Sequence, residues 1–239
     1  MKKILYHIFL LLCIAVFCIS AYKLYGYYKS YKEAKDTYEK IKKDNVKKTN
    51  GDRTIDFDKL RAKNPDIVGW VYAKGTGIDY PIVQGKDNEE YLHMDYNKKK
   101  SSSGTIFLDH GCDKSFISDN NIIYGHHMKN GTMFAQLLKY KEQDFFEKYP
   151  YFSIYTPDGK ESKYQIFVAG VVEDTAVNYQ FAFQSDEEFL NYIETIIGTS
   201  LYTPNVEIDA ASQIVTLSTC TNVADEERFV VQAVKVSEQ

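Results

Sequence analysis

Hydrophobic residues along this chain form one long run near the start and then a series of short ones. Residues 4–22 carry no charge except on His7, and these nineteen residues are enough to cross a bilayer as a helix. A cleaved signal peptide is the alternative, but its apolar stretch is shorter, and Ile19-Ser20-Ala21 is a poor cleavage site. The pattern therefore predicts a transmembrane helix over 4–22.

Beyond residue 50 the hydrophobic residues occur in short β-rich runs that are separated by Gly, Pro and Asn. Many short strands with few helices are typical of a closed or nearly closed β-barrel. The strands are predicted near 67–73, 78–83, 104–109, 121–126, 151–156, 162–173, 212–219 and 228–234. Short helices are predicted at 56–64, 132–139 and 142–148.

One further helix is predicted late in the chain, between the strands at 162–173 and 212–219. Ser185 and Glu188 have the spacing of a capping box, and helically spaced apolar residues follow from Phe189.

After the hydrophobic run, the chain has a basic segment and then an acidic one. Residues 23–50 contain nine lysines and four acids, with tyrosines at 22, 25, 28 and 31. This segment is predicted to be a stalk, either touching anionic head groups and wall polymers or forming a solvated, partly helical spacer. Beyond residue 50 there are 18 basic and 29 acidic residues, and an acidic domain without a basic stripe argues against nucleic acid as a partner.

Cys220 carries the strongest chemical signal, because it ends one predicted strand and Arg228 begins the next. An antiparallel hairpin would place the guanidinium beside the thiol, and a nearby cation favours the reactive thiolate. Arg228 is the only arginine from residue 62 onward, against fourteen lysines, which suggests a need for a planar, permanent charge. The alternatives are a buried structural cysteine and an ion pair between Arg228 and a carboxylate of 225–227.

Acyl transfer also needs a group that protonates a leaving amine and later takes a proton back, and histidine suits that task. His126 and His127 are adjacent at the end of a predicted strand. Neighbouring residues of a strand point to opposite faces, so only one of the two is expected to face Cys220.

Several segments, taken in order, resemble the sortases, the cysteine transpeptidases that attach proteins to the cell wall of Gram-positive bacteria. Thr216-Leu217-Ser218-Thr219-Cys220 with Arg228 is similar to the sortase active-site strand, and Asn121-Ile122-Ile123-Tyr124-Gly125-His126 is similar to the histidine segment. Gly69-Trp70-Val71, residues 78–85 and residues 101–109 resemble class B members. The resemblance extends over residues 55 to 237.

This resemblance implies a mainly β fold, a closed sortase-type barrel of about eight strands with short peripheral helices. The helix in the late connection would border the substrate groove. Cys220 would be the nucleophile, His126 rather than His127 the acid and base, and Arg228 either an oxyanion stabiliser or a substrate anchor.

Four further residues are candidates for substrate binding. Asn88 and Leu92 are similar to an Asn-x-x-x-Leu pair that lines the class B pocket, and four residues apart they would share one face of a helical turn. Tyr179, before the late helix, is a weaker candidate among twenty tyrosines. Ser218 lies two residues before Cys220 on the same strand face, where it either binds substrate or only completes the strand.

The activity implied is cleavage of a C-terminal sorting signal of the NPxTx or SPxTx type after Thr, through a thioacyl-enzyme. The secreted protein that bears the signal would then be transferred to an amine of a peptidoglycan precursor or stem peptide. No cofactor is implied, and the chain contains neither a CxxC nor an HExxH motif that would indicate a metal.

Sortases act outside the cell, so we expect residues 1–3 in the cytoplasm, 4–22 in the membrane, 23–54 as the stalk and 55–239 as the extracellular catalytic domain. Lys2 and Lys3 agree with this orientation, whereas the lysines that follow the span favour the opposite one.

Other functions stay open at this point. The same chemistry would serve a pilin polymerase or a cysteine hydrolase, and the same barrel would serve a surface binding module without activity. The last of these predicts an unreactive Cys220, either buried or joined to Cys112. Otherwise Cys112, in a polar loop, is expected to be incidental.

Overall fold

The protein begins with one long helix in the computed structural model, which describes residues 2–49, 52–203 and 205–239. Helix α1 spans Lys2–Asn45 and contains the predicted transmembrane segment. Within the described residues it is the one helix that is long and apolar enough to cross a membrane, with a mean hydropathy of 2.6 over its most apolar window. A short antiparallel hairpin follows, formed by β1 (Val46–Thr49) and β2 (Asp52–Ile55).

Eight strands then close into a barrel, as the sequence pattern predicted. They are β3 (Ile67–Tyr72), β4 (Asp79–Val83), β5 (Ile106–Leu108), β6 (Asn120–Tyr124), β7 (Tyr151–Tyr155), β8 (Glu161–Glu173), β9 (Ile214–Cys220) and β10 (Glu227–Glu238). Their order around the barrel is β10-β8-β7-β3-β4-β5-β6-β9. The sheet is mixed, because β4 pairs with β5 and β6 pairs with β9 in parallel.

Short helices occupy the connections. They are α2 (Phe57–Lys63), α3 (Gln143–Lys148) and α4 (Asp186–Ile197), with 3-10 helices at Glu90–Leu92, Phe134–Lys141 and Val177–Tyr179. The predicted helix at 132–139 is thus a 3-10 helix that begins two residues later. The helix predicted in the late connection is α4, which lies between β8 and β9 in the chain and packs against β8.

The predicted capping box of α4 is half formed. The Ser185 hydroxyl accepts a hydrogen bond from the Glu188 backbone N–H at 3.2 Å. The Glu188 carboxylate turns elsewhere, because it accepts from the Gln184 N–H at 2.7 Å and from the Gln180 side chain at 2.7 Å. Glu188 therefore joins the start of the helix to the segment that precedes it.

Most barrel strands are buried along nearly their whole length, and the largest fully buried side chain among the described residues is Trp70 on β3. Burying such aromatic and aliphatic side chains is the main force that holds the strands together. The ring N–H of Trp70 is not left unpaired, because it donates to Asp79 on β4 at 2.8 Å. Asp79 in turn pairs with Arg53 on β2, so the hairpin after α1 is tied to the barrel.

The end of α1 also packs on the barrel. Tyr38, Ile41 and Asn45 are buried, and the Tyr38 hydroxyl donates to the backbone carbonyl of Gly104 at 2.6 Å. The last turns of α1, within the predicted stalk, therefore pack on the barrel, whereas β1 after them is mostly exposed.

Candidate functional site

One pocket of about 380 Å³ lies at the ends of β6 and β9, where the barrel meets the segment before β5. It brings together all seven residues that the sequence singled out, which are Asn88, Leu92, His126, Tyr179, Ser218, Cys220 and Arg228. It also contains Phe107, Tyr124 and Asp174, which the sequence analysis did not select. Residues that are up to 140 positions apart in the chain thus share one cavity.

Cys220 and Arg228 are direct neighbours across the predicted hairpin. The register of β9 and β10 pairs their Cα atoms, as expected for two strands joined by a tight acidic loop. Cys220 is partly exposed while Thr219 beside it is buried, so the thiol is accessible at the end of an otherwise enclosed strand.

Arg228 is held by groups that differ from the expected partners. Its Nη2 is 3.2 Å from the carboxylate of Asp174, at the end of β8. Its Nη1 donates to the backbone carbonyls of Asp225 at 2.5 Å and Glu227 at 3.1 Å. The alternative of an ion pair with a carboxylate of 225–227 is therefore not the one formed, because the loop offers its carbonyls and β8 brings in the carboxylate of Asp174.

His126 lies two residues beyond the end of β6, with its ring in the pocket. Its Nε2 is 2.8 Å from the backbone carbonyl of Leu92. A carbonyl only accepts hydrogen bonds, so Nε2 carries a hydrogen and Nδ1 is the nitrogen left for proton exchange. Leu92 thus contributes its backbone to orienting the histidine as well as its side chain to the pocket wall.

His127 also approaches Cys220, contrary to the expectation that only one histidine does so. Its Nδ1 is 3.0 Å from the backbone carbonyl of Cys220, whereas His126 shares the pocket with the side chains. The alternation of side chains along a strand does not apply to the two histidines, because β6 ends at Tyr124, before either of them.

A wall of aromatic and hydroxyl groups faces the histidine. The hydroxyls of Tyr179 and Ser218 are 2.8 Å apart, and the Tyr179 ring stacks on that of Tyr124 with centroids 6.2 Å apart. Burial raises the pKa of Tyr179 to about 12, so its hydroxyl stays protonated. Ser218 therefore does more than complete the strand, because its hydroxyl fixes a neighbouring side chain.

Asn88 and Leu92 both line the pocket, although the helical turn between them is only the 3-10 helix Glu90–Leu92. Both the nitrogen and the oxygen of the Asn88 side-chain amide form hydrogen bonds. Its Nδ2 donates to the carboxylate of Asp109 at 2.7 Å, and its Oδ1 accepts from the backbone N–H of His110 at 2.9 Å.

Cys112 lies in the connection between β5 and β6, as its polar neighbours indicate, and there it is buried and free. Its thiol donates to the backbone carbonyl of Asn120 at 3.6 Å, and burial raises its pKa to about 12. Cys220 is likewise free, so the two cysteines do not form a disulfide. In the part of the chain that the structure describes, no three His, Cys, Asp or Glu side chains are grouped to hold a metal ion.

Comparison with known proteins agrees with this geometry. A model of the sortase domain matches residues 71–236. A sortase B of Listeria monocytogenes is 38% identical over 187 residues, which are 77% of this chain and 75% of that protein. A sortase B of Staphylococcus aureus is 32% identical over 236 residues, which are 95% of this chain and 96% of that protein.

A solved structure is similar as well. The complex of Staphylococcus aureus sortase B with its substrate superposes with a TM-score of 0.76 at 28% identity, covering 87% of this chain and 99% of that one. The chain therefore belongs to the sortase family, and its relatives there are class B sortases.

Proposed function

We propose that this protein is a membrane-anchored cysteine transpeptidase that cleaves a C-terminal sorting signal and joins the cleaved protein to a peptidoglycan amine. Membership of the sortase family supports a transpeptidase. The observation that carries the proposal is the pocket in which Cys220, His126 and Arg228 lie together. A nucleophile, a proton-transfer group and a permanent cation are the groups that acyl transfer requires.

In the first half-reaction, the Cys220 thiolate attacks the Thr carbonyl carbon of an NPxTx or SPxTx signal. A tetrahedral oxyanion forms and collapses, the C–N bond breaks, and His126 gives its Nδ1 proton to the departing amine. The product is a thioacyl-enzyme. The Leu92 carbonyl supports this step, because it holds the proton on Nε2 and leaves Nδ1 to donate and then accept.

In the second half-reaction, an amine attacks the thioester carbon and His126 takes up its proton. The tetrahedral intermediate then expels the Cys220 thiolate, and a new amide bond remains. We infer that the acceptor is an amine of a peptidoglycan precursor or stem peptide. The Staphylococcus aureus relative has been solved with its substrate, which supports a sorting-signal peptide as the donor.

Arg228 serves this reaction in one of two ways, as an oxyanion stabiliser or as an anchor for the peptide backbone. Its ion pair with Asp174 and its bonds to two backbone carbonyls hold the guanidinium in one place. Such preorganisation favours electrostatic stabilisation, because no reorganisation is needed when charge develops. Asn88, Leu92, Tyr179 and Ser218 line the remaining wall and bind the signal peptide.

The test uses the full chain in detergent micelles with NPxTx and SPxTx peptides. Intact mass should reveal an acyl adduct on Cys220, and added amine should convert it to a transfer product. Cys220→Ala should abolish both, and His126→Ala should lower turnover by about 10³-fold, in the range of a lost acid–base group.

Two results would contradict the proposal. Cleavage by Cys220→Ala at the wild-type rate would exclude the thioacyl route. An adduct that water releases equally fast with and without amine would favour a cysteine hydrolase.

The α1 helix supports the membrane anchor, and protease protection of tagged termini in membrane vesicles would determine on which side of the membrane residues 55–239 lie.

A further inference from the structure

A buried carboxylate lies just behind the pocket, outside the groups that the reaction uses. Asp109 follows β5 and is only 6% exposed. One of its oxygens accepts from the Asn88 amide at 2.7 Å and from the Tyr124 hydroxyl at 3.0 Å. The other accepts from the backbone N–H of Gly111 at 2.8 Å, and the His110 Nδ1 is 3.6 Å from it. A carboxylate buried in this way needs several donors to offset its desolvation.

The two side chains that donate to Asp109 belong to different segments that line the pocket. Asn88 stands on the segment before the 3-10 helix, whereas Tyr124 ends β6. Tyr124 stacks on Tyr179, whose hydroxyl is bonded to Ser218 two residues before the nucleophile. The Asp109 carboxylate is thus hydrogen-bonded to two of the segments that line the cavity.

Asp109 also determines which end of the Asn88 amide is available. The carboxylate accepts only, and the backbone N–H of His110 donates only, so Nδ2 must face Asp109 and Oδ1 must face His110. The second hydrogen of Nδ2 is left as a donor for the pocket. A flipped amide would present its oxygen instead and would lose both bonds.

We propose that Asp109 is a positioning residue for substrate recognition, which presents Asn88 as a hydrogen-bond donor to a backbone carbonyl of the signal peptide and fixes Tyr124 behind the Tyr179–Ser218 pair. This inference rests on the proposed function. Asp109 acts through its neighbours and does not touch the reacting atoms.

Substitution by the isosteric amide tests the inference. In Asp109→Asn, one side of the new group must carry N–H donors, so it loses either the Asn88 bond or the Gly111 bond, and in the first case the Tyr124 hydroxyl must turn round to accept. We expect KM for the signal peptide to rise roughly tenfold and kcat to change less than about threefold, because binding is lost before chemistry. The rate at which Cys220 is alkylated should stay at the wild-type value.

A second variant keeps the test decisive if Asp109→Asn folds poorly. Tyr124→Phe keeps the ring and its stack but removes one donor to Asp109, and should raise KM by a smaller factor. The double variant should raise KM by less than the product of the single effects, because both changes act on the same contact between Tyr124 and Asp109. Tyr140→Phe is the control: it removes another buried hydroxyl, which donates to Tyr149 at 3.0 Å, and should leave KM unchanged.

The outcomes separate the two proposals. A wild-type protein that cleaves the peptide while Asp109→Asn and Tyr124→Phe keep its KM would overturn the positioning role alone. A lowered melting temperature with an unchanged KM would make Asp109 merely structural and would overturn it equally. A wild-type protein that neither cleaves nor binds the peptide would overturn both proposals, since Asp109 would then have no peptide site to organise.

Discussion

The ring of His126 enters the pocket with Nε2 already bonded to a backbone carbonyl, and Cδ2, the ring atom next to Nε2, lies close to Gly104. A Cβ atom at Gly104 would lie 2.5 Å from the carbonyl oxygen of Tyr91, 2.8 Å from that of Leu92 and 3.1 Å from Cδ2 of His126. Gly104 also has a φ of +54°, which side chains rarely adopt. Only glycine lets the chain pass this close to the histidine and its acceptor.

Gly104→Ala should therefore impair catalysis more than stability alone explains. The new methyl group must push away the Tyr91 and Leu92 carbonyls, which lie closest to it, and it would also crowd the His126 ring. Because the Leu92 carbonyl orients His126, we expect kcat/KM for peptide cleavage to fall at least about tenfold. Gly159→Ala is the matched control, because Gly159 has a φ of +87° with open space around its Cβ position. If the two variants lose activity equally, backbone strain is the cause and contact with His126 is not.

The two cysteines of the barrel should differ in reactivity. Cys220 is partly exposed in the pocket, whereas Cys112 is buried and its pKa is raised to about 12. Since the thiolate is the reactive form, Cys112 should stay unmodified between pH 7 and 9 in the native state. Timed alkylation of the full chain with peptide-resolved mass spectrometry checks this. Equal labelling of both sites would show that the barrel opens readily or that Cys112 is accessible.

At the scale of the elements, the hairpin of β9 and β10 aligns nucleophile and cation, and α1 supports the segment that holds the histidine. Tyr38 near the end of α1 donates to the Gly104 carbonyl at 2.6 Å, and its hydroxyl oxygen is 3.1 Å from the Thr105 hydroxyl. Helix α1 thus contacts the glycine beside His126 directly.

Tyr38→Phe should lower both stability and turnover. The change leaves the buried Gly104 carbonyl without its donor, which costs about 1–3 kcal/mol. The loosened Gly104 segment should lower kcat by a few-fold with little change in KM. Tyr28→Phe, on an exposed part of the same helix, is the control. Thermal unfolding and peptide kinetics of both variants provide the measurement. An unchanged kcat in Tyr38→Phe would show that α1 does not support the catalytic groups.

At the scale of the whole molecule, the end of the chain helps to close the barrel. Glu238 at the end of β10 pairs with Lys235 and Lys160 and accepts from Ser162 on β8 at 3.1 Å. These bonds to the ionised form, Lys235 first, lower the pKa of Glu238 to about 2. A carboxylate whose pKa is lower in the folded state stabilises the fold above its unfolded value, and this contribution is lost as the pH falls from about 4.5 toward 2.

Glu238→Gln should therefore lower the melting temperature at pH 7 and not at pH 2. The effect should be small, about 2 °C or less, because the carboxylate is partly exposed and surface ion pairs are screened. Thermal unfolding of both proteins across this pH range tests the expectation. A difference that persists unchanged at pH 2 would assign the effect to the lost hydrogen-bond geometry and not to charge.

The sequence by itself determined the features that depend on local pattern or on an ordered set of motifs. The uncharged run over 4–22, the alternating strands and the Ser185 cap are local, so they predicted α1, the eight-stranded barrel and α4. Cys220, Arg228 and His126 were recognisable because their segments resemble one family in sequence order.

Only the tertiary structure decided which distant groups meet. Asp174 and Asp109 are ordinary acids in the sequence, and they become a partner of Arg228 and a support of Asn88 because strand pairing brings them there. The contact of Tyr38 with Gly104 spans 66 positions, and the bond of His126 to Leu92 uses a backbone carbonyl that any residue would supply. Such contacts depend on which strands pair and in which register, and no local pattern of residue types encodes that.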